Sequence, residues 1–591
     1  MKVNSHNIEF GYELLSAIPY AYELYLSGKL TGTTSGKASE PLYYFSPKHT
    51  INPEPRSWYN TPKATGAGIP YTNIHKPNLQ PKAFPPYKEH YANDVFKWDK
   101  PTLCICNRAN VEWMAGVINY FDAEMLDWLF SNLKDQYEII YFPIGIPKNI
   151  QDNAPPEQVF DDIALAEKHG VRVFSTLLTS PERWNAVMLQ VFANCEHYIT
   201  MNGGYSILAS YFSGQNIIFS KPGKPQCQEI TQGSFWRWYP NINDVQTLHV
   251  PSYSELKRKV QALYIDKLPT ANVIIRTSNR PKAFRYAMQS VLMQDYQNVN
   301  IVVTVDDERS DKYTHGYNCR VIPVSQPQRT HRPSNSKDKP EGKRSFGQWF
   351  PANDYIAQAQ ARVKGYIMFL DDDDKYVRKD AISKVMQQAQ KDKLMVWKVQ
   401  FPNSVIPNGS FGQTPTICDI ASIGMCYHSD YIHKSDWTPW KCADYRTAAK
   451  WADNEIIWID QVLTALQSQP GRGMRKDVQQ EHQIIIPMKK PIVKVQFIRD
   501  FQGRKAGTIE ELKWHIAVNF IYREACVEVE DPKEPVKQIQ SATGKVMTEA
   551  TEDNTMVKAK PKPRAKAKPR PRKTKEEKNA PVKTKTDETE D

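Results

Sequence analysis

The run GYIMFLDDDD, residues 365–374, constrains this chain more than any other stretch. Its apolar part, Tyr366 to Leu370, is the length of a buried strand and too short for a buried helix. Four aspartates follow with no spacer. Burying a charge is costly, so the strand must leave its sheet at that point. A second strand pattern, VNIVVTVDDE (299–308), ends the same way at Asp306 and Asp307. In open α/β sheets ligands bind beyond the carboxyl ends of the strands, which makes both acidic ends candidates for one site. Four adjacent carboxylates repel one another unless a cation sits among them. A hard divalent ion with oxygen ligands relieves this and would also bind a diphosphate. A solvated acidic turn before the next helix is the plainer alternative for the quartet taken alone.

Short apolar runs alternate with helical periodicity along much of the chain, which predicts parallel βαβ units. In a first unit the strands are expected at 102–107, 137–145, 171–177, 197–201 and 216–220, and the helices at 123–133, 161–168, 183–194 and 254–264. The breaker DKLPT (266–270) closes it. A second unit has strands from 271, 299, 319, 365 and 394, and helices at 284–293, 354–363, 381–391 and about 455–467. The expected fold class is therefore α/β, with two Rossmann-like units at 101–268 and 269–530. An irregular Pro/Tyr-rich segment (1–100) packs on the first unit, and a tail (531–591) follows the second.

The chain has 591 residues, with 14 Trp, 30 Tyr and 22 Phe, enough large apolar surface to exclude wholesale disorder. Its net charge of +12 is uneven: from Lys558 onward 13 Lys/Arg stand against 6 Asp/Glu, a net of +7 in the tail alone. That Lys/Arg/Pro/Ala tail is expected to be disordered, with a salt-dependent affinity for nucleic acid or another acidic surface. No apolar run approaches the roughly 18 residues of a membrane span, and MKVNSHNIEF lacks a signal-peptide core. Nine cysteines without paired Cys-x-x-Cys units fit reduced thiols. A cytoplasmic protein with no membrane span is expected.

Four motifs occur in order: IIRTSNRP (274–281), SVLMQ (290–294), VVTVDD (302–307) and KGYIMFLDDDD (364–374). Together they resemble the inverting glycosyltransferases of family 2, which have the nucleotide-sugar-binding GT-A fold, over about residues 271–470. The resemblance implies a metal-dependent enzyme, a hexosyl- or pentosyltransferase, that uses Mn²⁺ or Mg²⁺. Arg276, Thr277 and Asp307 fall where that family contacts the nucleotide. Asp371, Asp372 and Asp373 occupy its Asp-x-Asp position, with Asp373 and Asp371 as metal ligands and Asp372 facing the sugar or ribose. Asp374 is expected to turn toward the following helix. The family's base is an acid beginning a helix some 80 residues further on. Asp453 in KWADNEIIWIDQVL fits, with Glu455 and Asp460 as rivals. An N-cap role suits Asp453 equally and is compatible with the first.

Other readings stay open. Trp437 and Trp440 are candidates for an acceptor platform or for ordinary packing. The basic insertion 325–349, with Arg329, His331, Arg332, Lys337, Lys339, Lys343 and Arg344, could close over a diphosphate or simply be solvated. His428, His433 and His482 are possible further metal ligands. In the first unit, KPTLCICNRANVEW (100–113) and NGGYSILASYFSG (202–214) resemble GT-B-type glycosyltransferases. Asn202, Gly203 and Gly204 would mark a second donor site there, with His197 and Glu112 as possible catalytic groups. A tight turn explains the glycines as well. The implied partners are a nucleotide-sugar donor and a glycan or glycoprotein acceptor. The alternatives are a modified-base DNA glycosyltransferase tethered by the tail, and a non-catalytic binding protein on the same scaffold.

Overall fold

The computed structural model describes residues 1–6, 8–53, 69–70, 81–108, 120–144, 160–219, 241–314, 317–328, 349–466, 492–497, 505–513 and 526–528. The N-terminal segment is more regular than its composition suggests. Strands β1 (Lys2–Asn4), β2 (Gly32–Ser35) and β3 (His49–Ile51) form a parallel sheet around the helix Ile18–Leu26. Leu14, Ile18, Leu42 and Tyr43 share one buried cluster with Cys104, Ile140, Tyr198 and Leu208 of the first α/β unit. The segment's buried Glu13 accepts hydrogen bonds from Ser5 (2.6 Å) and Tyr43 (2.8 Å).

The first α/β unit holds β4 (Thr102–Cys106), β5 (Glu138–Phe142), β6 (Arg172–Val173), β7 (Cys195–Met201), β8 (Gln215–Phe219) and β9 (Gln246–Val250). All pairs are parallel, in the order β6-β5-β4-β7-β8-β9. Counted within the unit this is 3-2-1-4-5-6, the full doubly wound order of a Rossmann sheet. The run VRVFSTL is a strand only over Arg172–Val173. It then coils into a 3-10 turn, Phe174–Leu177, in which Phe174 stacks on Phe142 and meets Trp184 edge-on, at ring centroid distances of 4.2 and 4.7 Å. Gly214 enters β8 at φ 94°, and a Cβ there would lie 2.0 Å from the Glu196 carbonyl oxygen.

The second unit runs β10 (Ala271–Arg276), β11 (Val299–Val305), β12 (Arg320–Pro323), β13 (Tyr366–Asp371), β14 (Asp374–Tyr376), β15 (Leu394–Phe401), β16 (Ser404–Ile406), β17 (Met425–His428) and β18 (Ile456–Leu466). Their order is β12-β11-β10-β13-β17-β15-β18-β14, with β16 paired to β15. Strands β10 to β13 are mutually parallel, and β17 is antiparallel to both its neighbours. Gly365 begins β13 at φ 105°, where a Cβ would come within 2.7 Å of the Thr270 carbonyl oxygen.

One expected helix is corrected. Residues 456–466 form the strand β18, paired with β15 and β14. Ile456, Ile457, Trp458, Ile459 and Val462 are β-branched or aromatic, residues that fit a half-buried pleated surface. The short helix Glu308–Thr314, after Asp307, was not legible in the sequence.

The two α/β units meet through polar contacts. Gln246 donates to Asn298 (3.1 Å), and Asn298 donates to the Leu268 carbonyl (2.6 Å). Arg320, buried, donates to Asn241 (2.7 Å) and to the Arg362 carbonyl (2.8 Å) and pairs with Asp244. Beyond β18, residues 492–497, 509–513 and 526–528 form a three-stranded antiparallel sheet. The tail from 531 lies outside the described residues. No described helix is long and apolar enough to cross a membrane.

Candidate functional site

Strands β10 and β13 are in register, so Arg276 and Asp371 stand side by side where both leave the sheet. Arg276 grips Asp371 with two parallel hydrogen bonds, Nε to Oδ1 at 2.5 Å and Nη2 to Oδ2 at 2.6 Å. Its remaining nitrogen, Nη1, donates to Asn353 (3.1 Å) and to the Ala352 carbonyl (3.2 Å). The chain then turns, and the four aspartates diverge. Asp372 points inward and is fully buried. It accepts from Thr277 (2.8 Å) and from Arg280 Nε (3.1 Å). Burial pushes its carboxyl up to about 7, against the pull of Arg280 and with a further push from Asp373.

Asp371, Asp373 and Asp374 share the other side. Each offers an oxygen within 4.8 Å of the others. Two oxygens on one divalent ion, each about 2.1–2.4 Å from it, are at most about 4.8 Å apart, so the span fits one cation. Asp374 was expected to turn toward the following helix. Instead it begins β14, opposite Leu466, and lies buried inside this group. Burial, then Asp371 and Asp373, raise its carboxyl well above the usual carboxylate range. Arg280 Nη1 reaches Asp373 at 2.8 Å. Four carboxylates thus face two guanidinium groups, and a divalent cation would balance the remainder.

Arg280 went unassigned in the sequence, although it ends the TSNR turn and precedes Pro281, the first residue of the helix Pro281–Leu292. Tyr313 was missed too. Its hydroxyl lies 2.6 Å from Thr277 Oγ1 and fixes that side chain against Asp372.

At the end of β11 the two acids divide. Asp307 takes the Ser310 N–H at 2.7 Å and Arg309 at 2.9 and 3.0 Å. Burial pushes its carboxyl up, but these donors outweigh that and hold it below its ordinary value. It works as a helix cap. Asp306 accepts from Ser278 (3.2 Å) and Tyr355 (3.3 Å), and its Oδ1 is buried with no partner among the described residues. Burial, then Asp307, raises its carboxyl.

Asp453 does not join this group. Leu394 of β15 pairs with Ile456, and through β17 that end of the sheet aligns with Tyr366, the start of β13. Asp374 pairs with Leu466, ten residues further along β18 than Ile456. At about 3.3 Å per residue, Asp453 is roughly 30 Å away, at the opposite edge. It is exposed and accepts from Thr414 (2.9 Å). Glu455 pairs with Lys434, and Asp460 with Lys398. His428 pairs in register with Tyr366 at that same far edge, and His433 is exposed beside Tyr431. His482 and the basic segment 329–348 lie outside the described residues.

A different acid does begin a helix near the site. Asp444 is the second residue of the helix Ala443–Ala448 and lies within electrostatic reach of Arg276. Burial raises its carboxyl, while the Tyr445 N–H and the Arg276 and Arg446 guanidinium groups pull it back. Of the two tryptophans expected near the acceptor, Trp437 is core, 3% exposed, and donates to Tyr427 at 2.7 Å. Trp440 stands instead at the rim, against Trp349.

In the first unit, Gly203 and Gly204 form the expected strand-to-helix turn after β7, but its face is filled. A Cβ on Gly204 would lie 2.5 Å from the Phe10 ring. Asn202 is buried, with no partner for Oδ1 among the described residues. His197 packs edge-on against Tyr137 and Tyr264, and burial lowers its pKa, which marks a packing role. Glu112 lies outside the described residues.

No family model and no curated protein matches the chain. Among solved structures, S. aureus TarS 1-349 in complex with UDP-GlcNAc is 17% identical, covering 34% of this chain and 60% of that one, with a TM-score of 0.24. The chain thus spans less than two thirds of that protein. Mannosyltransferase PcManGT from Pyrobaculum calidifontis, with GDP-Man and Mn²⁺, is 13% identical over 37% of this chain and 67% of that one, at a TM-score of 0.26. Glucosyl-3-phosphoglycerate synthase from Mycobacterium tuberculosis, with Mg²⁺ and UDP, is 10% identical over 46% of this chain and 99% of that one, at 0.24.

Proposed function

We propose that the second α/β unit is a metal-dependent glycosyltransferase that moves a sugar from a nucleotide-sugar donor to a hydroxyl acceptor. One observation carries this reading: three carboxylates, Asp371, Asp373 and Asp374, converge within 4.8 Å at the carboxyl edge of a parallel sheet, between two arginines. The four sequence motifs that resemble the inverting transferases of family 2 support it.

Asp371, Asp373 and Asp374 would hold Mn²⁺ or Mg²⁺, which when bound supplies positive charge opposite the departing diphosphate. Arg276 keeps Asp371 from rotating away. Thr277, Tyr313 and Arg280 hold Asp372 inward, beneath the donor. Asp307 caps the helix that follows β11, and Asp306 beside it holds Ser278 of the TSNR turn and Tyr355 in place near the donor. In the transfer, the acceptor oxygen bonds to the anomeric carbon as the carbon–oxygen bond to the diphosphate breaks, and its electron pair stays with the diphosphate. The acceptor proton goes to a carboxylate. We assign that role to Asp444 in place of Asp453, since Asp444 lies within electrostatic reach of Arg276, four residues past Trp440, and a raised pKa suits a general base. Inversion follows from attack opposite the leaving group.

Assays with a panel of nucleotide sugars, with Mn²⁺ or EDTA, test this. Metal-dependent release of nucleotide, lost in Asp373→Ala, is expected. Release that persists in EDTA and in Asp373→Ala would move the chemistry elsewhere in the chain.

A further inference from the structure

The rim of the carboxylate site carries two tryptophans that no step above uses. Trp349 and Trp440 pair across an isolated antiparallel β-bridge and meet edge to face, with ring centroids 5.2 Å apart and planes at 81°. The Phe350 N–H donates to the Pro439 carbonyl at 2.9 Å and fixes the pairing. Phe350 is 37% exposed and lies 5.9 Å from the Arg276 guanidinium carbon. Asn353 ties the pair to the site: it donates to the Trp440 carbonyl (2.7 Å) and accepts from Arg276 (3.1 Å), which in turn holds Asp371.

Packing alone does not account for these rings. Trp437, three residues earlier, fills the core and satisfies its indole N–H on Tyr427. Trp349 and Trp440 are only half-buried, and neither indole N–H has a partner among the described residues. Two rings at right angles form a corner that offers a π-face and an N–H edge together. A pyranose or furanose ring has the matching surface. Its polarised C–H face meets a π-face, and its hydroxyls accept from an indole N–H. A nucleobase instead stacks flat on aromatic platforms.

We infer that Trp349 and Trp440 form the acceptor subsite and that the acceptor is a carbohydrate whose terminal ring rests in this corner beside Asp444. The inference rests on the donor-site reading above for the word acceptor, but sugar binding is measured without turnover.

Saturation-transfer NMR on the full chain with Mg²⁺ would test maltotriose, chitotriose and lactose, with a ten-residue oligothymidylate as competitor. Calorimetry with UDP and GDP on the same samples scores the donor site separately. At least one oligosaccharide is expected to receive saturation at its ring C–H groups. Trp440→Ala should weaken that binding at least tenfold, and Trp440→Phe, which keeps a π-face and the backbone carbonyl, should hold it within about threefold. Three results would overturn the inference: no oligosaccharide binding to wild type, binding that survives in Trp349→Ala/Trp440→Ala, or displacement of the sugar by the oligothymidylate. Loss of nucleoside diphosphate binding in wild type, with sugar binding intact, would overturn only the donor reading.

Discussion

Arg276 and Asp371 are register partners on adjacent parallel strands and are joined by two hydrogen bonds of 2.5 and 2.6 Å. Planar guanidinium suits this two-point contact, and a lysine ammonium does not. Arg276→Lys should therefore lose most of the interaction while keeping the charge. Breaking one partner of a buried pair costs about 3–5 kcal/mol. Arg276→Ala is expected near that range in urea denaturation, and Arg276→Lys about half as much. Equal, small losses in both would show that the pair is not structural.

A divalent cation should stabilise the fold, because it binds carboxylates that repel one another only in the native arrangement. At a hundredfold excess over its Kd the gain is about 2.7 kcal/mol. Mn²⁺ is expected to raise Tm, EDTA to reverse the rise, and Asp374→Asn to abolish it. Asp374 is the discriminating position, because the sequence places it toward the next helix and the structure places it in the cluster. An undiminished shift in Asp374→Asn would restore the sequence assignment.

Much of this was legible before any coordinates. The strand GYIMFLD declares itself because an apolar run of strand length meets acids abruptly, and Gly365 marks its start by a φ that other residues rarely adopt. The alternation of strands and helices likewise gives the parallel sheet of the first unit and the parallel strands β10 to β13 of the second. What failed was directional. The segment Ile456–Leu466 has the apolar content of either element, and its pairing with β15, about 60 residues away, decides for strand. Once it is a strand, Asp453 moves to the wrong edge. Asp444 was invisible because its helix is only six residues long and its relation to Arg276 is purely tertiary.

His249 on β9 gives a pH signature of the first unit. Its Nδ1 is sealed from solvent, and burial lowers its pKa from 6.5 to about 4. The unfolded chain therefore takes up a proton near pH 6.5, while the folded chain resists until about 4. Between those values the unfolded state binds more protons, so stability falls as the pH is lowered through this window. At 1.36 kcal/mol per unit the contribution is at most about 3 kcal/mol. Urea midpoints at pH 7.5 and 4.5 measure it, and His249→Gln should flatten the difference by that amount. An unchanged difference would assign the acid sensitivity to other groups.

The last prediction sets Asp444 against Asp453. Both are aspartates just before or within a short helical turn, and a proton acceptor needs to lie within reach of the acceptor hydroxyl. Asp444 lies within electrostatic reach of Arg276, which holds Asp371 of the cluster, whereas Asp453 lies roughly 30 Å off along β18. Removing a general base typically lowers turnover about 10²–10⁴-fold and leaves donor binding intact, because the base acts on the acceptor. Asp444→Asn is expected to show that loss in kcat with little change in UDP or GDP affinity by calorimetry. Asp453→Asn should alter kcat less than twofold, because all it loses is the hydrogen bond from Thr414. The reverse pattern would require β18 to detach from β15 and bring its first residues across the sheet, and limited proteolysis of the metal-bound protein would detect such an opening.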